Sequence, residues 1–187
     1  MLIFKYGTMG SSKTANAIMT AYNFETKGLN ILFVKPDLEN RDGDTLVKSR
    51  IGLTRECILW SDFMNMDISE VDKIIIDECH FLKKEDIDYL GDIVDTYDID
   101  VICFGLRGDF RTELFEGSKR LFEIADKLEE IENNCWCGNK AIINARLDKN
   151  KNVVLDGDQI VLGGDNIYVP LCRKHYKSNE INKFGKF

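Results

Sequence analysis

The chain has 187 residues, a formal net charge of −7, a sequence pI near 5.0 and 44% hydrophobic residues. This length suits one full domain with a smaller appendage, and the composition is ordinary for a globular protein. The acidic balance argues against a nucleic-acid-binding surface, which would show a basic stripe. No apolar run approaches the ~20 residues of a membrane span and the N-terminus lacks a signal-peptide stretch, so we expect a cytoplasmic protein without membrane contact.

Strand-like and helix-like patterns alternate through the first two thirds of the chain. The predicted strands cover residues 2–6, 30–35, 57–60, 73–78 and 100–104, and the predicted helices cover 15–27, 85–97 and 118–126. This alternation predicts an α/β fold with a parallel sheet covered by helices on both faces. After residue 132 the composition changes to short β-like pieces, glycine-containing turns and a basic tail. We therefore expect two domains, 1–132 and 133–187.

A glycine- and serine-rich loop follows the first predicted strand. It fits the phosphate-loop pattern G-x-x-x-x-G-K-[ST], except that Ser12 stands where the second glycine belongs. Between a strand and a helix, such a loop aims backbone N–H groups at an anion, which the helix dipole also favours. Lys13 would reach the β- and γ-phosphates of a nucleotide, and the Thr14 hydroxyl would bind Mg²⁺. The predicted phosphate-binding residues are Gly7, Thr8, Met9, Gly10, Ser11, Ser12, Lys13 and Thr14. The alternative is a turn that merely precedes a helix, and Ser12 favours it because glycine lets backbone approach phosphate closely.

The run Ile74-Ile75-Ile76 ends in two carboxylates, Asp77 and Glu78, and has the form of a Walker B strand. A continuous β-branched run is expected in a parallel strand that is buried on both faces. Asp77 would hold Mg²⁺ opposite Lys13, and Glu78 would act as a general base toward a hydroxyl or a water. The alternative is an acidic pair that only solvates a strand end. Because ligands of parallel sheets bind at the carboxyl ends of strands, we expect the two motifs to meet there.

A second constellation lies in the C-terminal part of the chain. Three thiols and one imidazole suit tetrahedral structural Zn²⁺, although a C-x-C pair is tighter than the usual C-x₂-C. The predicted ligands are Cys135, Cys137, Cys172 and His175. All four positions would be filled by protein, so the metal would stabilise a small domain that has few large apolar residues. The alternative is three buried thiols and a surface histidine. The remaining cysteines, expected as buried reduced thiols, are Cys57, Cys79 and Cys103.

In combination, these motifs resemble the thymidine kinases of the type found in the cytosol of animals, in many bacteria and in some large phages. The resemblance covers essentially the whole chain. Beyond the motifs above it includes Lys-Pro before the loop containing Arg41, and the segments 49–52, 77–82, 105–110, 114–118, 145–147, 163–164 and 168–175.

The resemblance implies a RecA-like nucleotide-binding domain, a zinc-containing domain with a lasso loop around residues 159–168, and a homotetramer. It also implies an enzyme that uses ATP and Mg²⁺ to phosphorylate the 5′-hydroxyl of thymidine, with deoxyuridine a possible second substrate. Glu78 takes the place of the catalytic base, Asp77 and Thr14 fall on the Mg²⁺ positions, and Arg41 falls near the phosphates. The residues that match the nucleoside pocket are Met9, Phe81, Leu106, Phe110, Phe115, Ile160, Val161, Gly163 and Tyr168.

Three positions depart from the pattern of that family. Ser12 replaces a glycine, Glu39 replaces an aspartate, and His80 replaces a glutamine. We expect His80 to support the neighbouring acidic pair or to be a packing residue, and not to bind a metal. The sequence also fits two other functions. Asp77-Glu78-Cys79-His80 also resembles the second motif of DExH helicases, although such motors need two RecA-like domains. A zinc-containing interaction module with a degenerate nucleotide site serving as a switch is the third reading, and Ser12 is its main support.

Overall fold

The computed structural model describes residues 1–38, 45–159 and 167–181. The strands are β1 (Leu2–Gly7), β2 (Ile31–Lys35), β3 (Leu46–Lys48), β4 (Thr54–Glu56), β5 (Ile58–Leu59), β6 (Lys73–Ile76), β7 (Asp100–Leu106), β8 (Lys127–Glu130), β9 (Ile143–Leu147), β10 (Val153–Val154) and β11 (Ile167–Leu171). The α-helices are α1 (Lys13–Glu25), α2 (Trp60–Phe63), α3 (Lys84–Tyr97), α4 (Glu116–Ile124) and α5 (Arg173–Ser178), and a 3₁₀ turn spans Cys79–Phe81. Within these residues, no helix is long and apolar enough to span a membrane.

The larger part of the chain is organised around one sheet of six parallel strands in the order β5-β2-β6-β7-β1-β8. Strand β7 lies between β1 and β6. Since neighbouring strands are ~4.8 Å apart, the carboxyl ends of β1 and β6 are separated by about 10 Å, a gap that two side chains can bridge. The predicted phosphate loop and the predicted acidic pair therefore lie at the same edge of the sheet.

Helices cover both faces of this sheet, as the sequence predicts. Ile74 and Ile76 pack into one core with apolar residues of α2, α3 and α4. Ile75 points to the opposite face and packs with Ala17 and Ala21 of α1. The three isoleucines are fully buried, which is the reason that this strand reads as a continuous apolar run rather than an alternating one. The α/β class with helices on both faces is confirmed.

The C-terminal part of the chain forms a small second unit with its own sheet. Strands β10, β9 and β11 make an antiparallel sheet, and α5 follows β11. Its apolar core is small and includes Cys135 and Cys172. A small β-rich unit with a cysteine-containing core agrees with the predicted fold class. The boundary near residue 132 remains a prediction, and β8 of the main sheet ends shortly before it.

Several element boundaries differ from the prediction. Helix α1 begins at Lys13 and not at residue 15, because the last residues of the phosphate-loop motif form its first turn. Trp60 begins the short helix α2 instead of ending a strand. Strand β8 was not predicted, since its sequence Lys-Leu-Glu-Glu lacks an apolar pattern and pairs only with β1 at the edge of the sheet.

Candidate active site

The loop after β1 has the backbone geometry that its glycines require. A Cβ atom on Gly7 would lie 2.5 Å from the carbonyl oxygen of Ile131, so no larger residue fits there without movement. Gly10 has a φ of 77°, a backbone conformation that residues with a side chain rarely adopt. Ser12 also lies in the left-handed region, with φ 63° and ψ 28°, directly before α1. Ser12 therefore has a backbone conformation that glycine adopts readily and that a residue with a Cβ adopts only at a cost in strain.

Lys13 is buried against the loop that precedes it. Its Nζ donates a hydrogen bond to the carbonyl oxygen of Thr8 at 2.7 Å and lies 3.5 Å from the Ser11 hydroxyl oxygen. Burial lowers the pKa of Lys13, while the negative charges of Glu78 and Asp77 oppose this shift. The Lys13 ammonium at the start of α1 therefore interacts electrostatically with Asp77 and Glu78 at the end of β6, although strand β7 lies between β1 and β6.

Asp77 is almost completely buried, with 2% of its surface exposed. Burial, followed by the charge of Glu78, raises the pKa of Asp77 to about 7, against an opposing hydrogen bond with the Thr14 side chain. Its Oδ1 atom makes no hydrogen bond within the described residues. A buried carboxylate oxygen without a partner, beside a hydroxyl and a lysine ammonium, fits a hard divalent cation such as Mg²⁺.

Glu78 differs from its neighbour in both conformation and exposure. Its φ of 52° and ψ of 33° are left-handed, which is uncommon for a residue other than glycine. The side chain is 20% exposed, so that the carboxylate can be approached from outside the fold. Strained backbone of this kind clusters at functional sites. The chain thus turns sharply between a buried carboxylate and an accessible one.

His80 connects Glu78 with the end of β7. Its Nδ1 atom lies 3.5 Å from Glu78 Oε2 and accepts a hydrogen bond from the backbone N–H of Leu106 at 3.2 Å. The Ser118 hydroxyl donates to the Leu106 carbonyl oxygen at 2.6 Å, so that both polar groups of this strand end are bonded. A Cβ on Gly105 would lie 2.7 Å from Cys79 Sγ. His80 is buried and lies beside the acidic pair, which agrees with the supporting or packing role expected from the sequence.

The aromatic residues predicted for a nucleoside pocket fall into two groups. Phe81 and Phe115 pack edge to face at 6.2 Å, and the His80 ring lies 4.1 Å and 4.7 Å from them. Phe110 is fully buried beneath the guanidinium of Arg146. Tyr168 lies opposite Arg146 in the pairing of β9 with β11 and is half-buried. Leu106 lies next to the first group, because its backbone N–H donates a hydrogen bond to His80 Nδ1.

Two asparagines that the sequence did not single out hold the phosphate loop. The N–H of Met9 donates to Asn144 Oδ1 at 2.7 Å, and Asn144 Nδ2 donates to the carbonyl oxygen of Gly108 at 2.7 Å. Asn133 Nδ2 donates to Thr8 Oγ1 at 3.2 Å and to the Met9 carbonyl oxygen at 3.0 Å. The small unit therefore fixes the position of the loop. One signal was available: Asn144 and Arg146 are polar residues inside the otherwise apolar strand β9.

The predicted zinc ligands come together. Cys135 Sγ and Cys172 Sγ each lie 3.4 Å from His175 Nδ1, and Cys137 Sγ lies 3.9 Å from Cys172 Sγ. All four ligand atoms lie within 4.8 Å of one another. Tetrahedral Zn²⁺ with bonds of 2.0–2.3 Å requires ligand separations of about 3.5–3.8 Å, so this donor set fits the ion. A hydrogen bond from the backbone of Asn139 lowers the pKa of Cys137, which favours the thiolate that a metal needs.

The surroundings of this cluster orient its histidine. The Trp136 ring stacks on His175 at 4.3 Å, and its Nε1 donates to the carbonyl oxygen of Glu180 at 3.2 Å. The Glu180 carboxylate lies 3.6 Å from His175 Nε2, on the side of the ring away from the thiols. Carboxylates in this position commonly fix the ring of a metal-binding histidine. The other cysteines, which are buried as predicted and form no disulfides within the described residues, are Cys57, Cys79 and Cys103.

Four residues predicted for the site lie outside the described part of the chain. They are Arg41, Ile160, Val161 and Gly163, together with Glu39 and most of the predicted lasso loop.

Comparison with known proteins agrees with this architecture. The family model described as "Thymidine kinase" matches residues 1–176. The thymidine kinase of Enterobacteria phage T4 is 44% identical over 97% of this chain and 97% of its own length. The thymidine kinase of Streptococcus gordonii is 43% identical over 97% of this chain and 98% of its own, and that of Streptococcus pyogenes is 41% identical over 96% and 98%. The chain belongs to the thymidine kinase family.

Proposed function

We propose that this protein transfers the γ-phosphoryl group of ATP to the 5′-hydroxyl of thymidine, which gives thymidine monophosphate and ADP. The family membership supports thymidine as the acceptor. The observation that carries the chemistry is the meeting of a phosphate loop with Asp77 and Glu78 at one edge of the sheet. Deoxyuridine, which differs by one methyl group, is proposed as a weaker second substrate, since a missing methyl costs only ~1–3 kcal/mol in an apolar pocket.

On the donor side, the residues of the phosphate loop hold and neutralise the triphosphate. Backbone N–H groups before α1 face the phosphates, and the Lys13 ammonium moves from the Thr8 carbonyl to the β- and γ-oxygens. Mg²⁺, held by Thr14 and Asp77, supplies further charge neutralisation on those oxygens when it is bound. Arg41 is proposed as an additional phosphate-binding cation. Catalysis of this kind consists mainly of positioning and electrostatic stabilisation.

On the acceptor side, we assign the role of general base to Glu78. Its carboxylate is accessible and lies beside the end of β7, whereas Asp77 is buried beneath it. It would take the proton of the 5′-hydroxyl as oxygen attacks the γ-phosphorus, and such a base typically contributes ~10²–10⁴ in rate. The base ring would lie in the slot lined by the aromatic residues, with Met9 and Leu106 beside it. Backbone groups of the lasso loop would bind its polar edge.

We further propose that the small domain carries one structural Zn²⁺ on its Cys₃His cluster, that the enzyme is a cytoplasmic homotetramer, and that its domains are 1–132 and 133–187. The ligand geometry supports the zinc assignment. The tetramer follows from the family resemblance, and the compartment from the pattern of cysteines, which fits a reducing environment. A degenerate nucleotide switch is not favoured, because Lys13, Asp77 and Glu78 are all present and interact electrostatically, although Ser12 replaces a glycine.

The experiment is an ADP-release assay with purified protein, Mg²⁺ and ATP. Separate reactions contain thymidine, deoxyuridine, other deoxynucleosides, single-stranded DNA or no acceptor. The proposal predicts ADP release that depends on thymidine, with thymidine monophosphate formed in equal amount. Stimulation by single-stranded DNA would instead identify a helicase-like ATPase, and no turnover in any reaction would favour the switch.

A further inference from the structure

Arg146 has an unusual environment for an arginine. It is 6% exposed, and its Cζ atom lies 3.6 Å from the centroid of the Phe110 ring, which is fully buried. Within the part of the chain that the structure describes, it forms no ion pair with a carboxylate. The charge is accommodated by the face of an aromatic ring, which attracts cations, and by backbone oxygens.

The backbone oxygens belong to one short turn. Nη1 of Arg146 donates to the carbonyl oxygen of Asp158 at 3.1 Å, and Nη2 donates to that of Asp156 at 3.0 Å. Gly157 lies between these two acceptors with a φ of 123°, and a Cβ there would lie 2.6 Å from Nη2. The turn is therefore shaped around the guanidinium, and a glycine is needed at its centre for both conformation and space.

The same turn is tied to the loop that carries Phe110. Gln159 Nε2 donates to Asp109 Oδ2 at 3.0 Å. Asp109 is itself fixed, since its carboxylate accepts the backbone N–H groups of Arg111 and Glu113 at 2.9 Å. The Tyr176 hydroxyl donates to the Phe110 carbonyl oxygen at 2.7 Å. Phe110 is thus held through its ring by Arg146 and through its backbone by the small domain.

We propose that Arg146 is a positioning residue for the nucleoside: it sets the plane of the Phe110 ring and locks it to the turn 156–159. This inference rests on the proposed function, in which Phe110 lines the slot for the base. Only arginine meets the geometry, because a planar guanidinium can lie flat on a ring while it donates to two carbonyls in its own plane. A lysine would keep the charge but not this arrangement.

The test compares Arg146→Lys with the wild type in steady-state kinetics, with Arg120→Lys as the control. Arg120 lies in α4 and forms ion pairs with Asp88 and Glu123, neither of which belongs to the turn 156–159 or to the pocket residues. We expect Arg146→Lys to raise KM for thymidine at least about tenfold, as for the loss of a well-placed charged hydrogen bond, while KM for ATP stays within about twofold. An unchanged KM for thymidine, or an equal rise in both KM values, would overturn the proposal.

Gly157→Ala perturbs the contact between Arg146 and the turn 156–159 from the side of the turn. It also tests the proposal if Arg146→Lys does not fold. We expect it to raise KM for thymidine selectively, and the effects of the two substitutions in the double variant to be less than additive. Fully additive effects would show that the turn acts independently of Arg146 and would contradict the proposal. Absence of thymidine turnover in the wild type would overturn the proposed function instead, so the two failures are distinguishable.

Discussion

Replacing Ser12 with glycine is expected to stabilise the protein. Ser12 has a φ of 63°, its side chain makes no capping hydrogen bond to α1, and it is exposed, so that little is lost with its side chain. A left-handed conformation costs a residue with a Cβ about 1–2 kcal/mol. Glycine also has more conformational freedom in the unfolded chain, and this offsets about 0.4–1 kcal/mol of the stabilisation. The expected net increase in the free energy of unfolding is therefore about 0.5–1 kcal/mol.

Urea denaturation, with thermal unfolding as a second measure, checks this value. For a chain of this size, about 0.5–1 kcal/mol corresponds to a rise of about 1–4 °C in Tm. Ser12→Ala is the matched control, because alanine removes the hydroxyl but keeps the Cβ that causes the strain. We expect this control to be no more stable than the wild type. If Ser12→Gly were not stabilising, or if Ser12→Ala were equally stabilising, strain at this position would not be the reason for the difference.

Substitutions at Asp77, Asn144 and Cys135 test three other features of the structure. Burial raises the pKa of Asp77 to about 7, so the folded metal-free protein keeps a proton that the unfolded chain releases, and stability falls as pH rises from about 4 to about 7. Asp77→Asn removes this component, increases the free energy of unfolding at about pH 8 by about 1–3 kcal/mol, and abolishes Mg²⁺-dependent turnover. Asn144→Ala leaves the Met9 N–H and the Gly108 carbonyl without their partner, so we expect a loss of about 2–4 kcal/mol in urea denaturation and a higher KM for ATP. Elemental analysis is expected to find one zinc ion per chain in the wild type and less in Cys135→Ser, which should also have a lower Tm. Removal of zinc from the wild type with a chelator should lower Tm by a similar amount.

Each of these predictions has an outcome that contradicts it. A pH profile of stability that is the same in Asp77→Asn and in the wild type would show that this carboxyl is not the titrating group. Asn150→Ala, at an exposed loop position, is the control for Asn144→Ala, and equal losses in the two would mean that the bridge to the phosphate loop is unimportant. Cys57→Ser is expected to keep its zinc, and a loss of metal in this control would contradict the assignment of the cluster.

Local patterns predicted the parts of the fold that depend on a few adjacent residues. The run Ile74-Ile75-Ile76 indicated a strand buried on both faces, and the cysteine and histidine spacing brought out the four-ligand cluster. The bridge from Asn144 to Met9 could not be predicted, because it joins residues that are 135 positions apart and depends on how the two units pack. Strand β8 was missed for a different reason: a charged strand at the edge of a sheet has no apolar pattern to detect.

Glu78 is proposed as the base in the transfer of the phosphoryl group from ATP to thymidine. This role is tested most directly by single-turnover formation of thymidine monophosphate in the wild type and in Glu78→Gln, with ATP binding measured in parallel. We expect Glu78→Gln to bind ATP with nearly unchanged affinity but to form the monophosphate about 10²–10⁴ times more slowly. Product formation at the wild-type rate in Glu78→Gln would contradict this role.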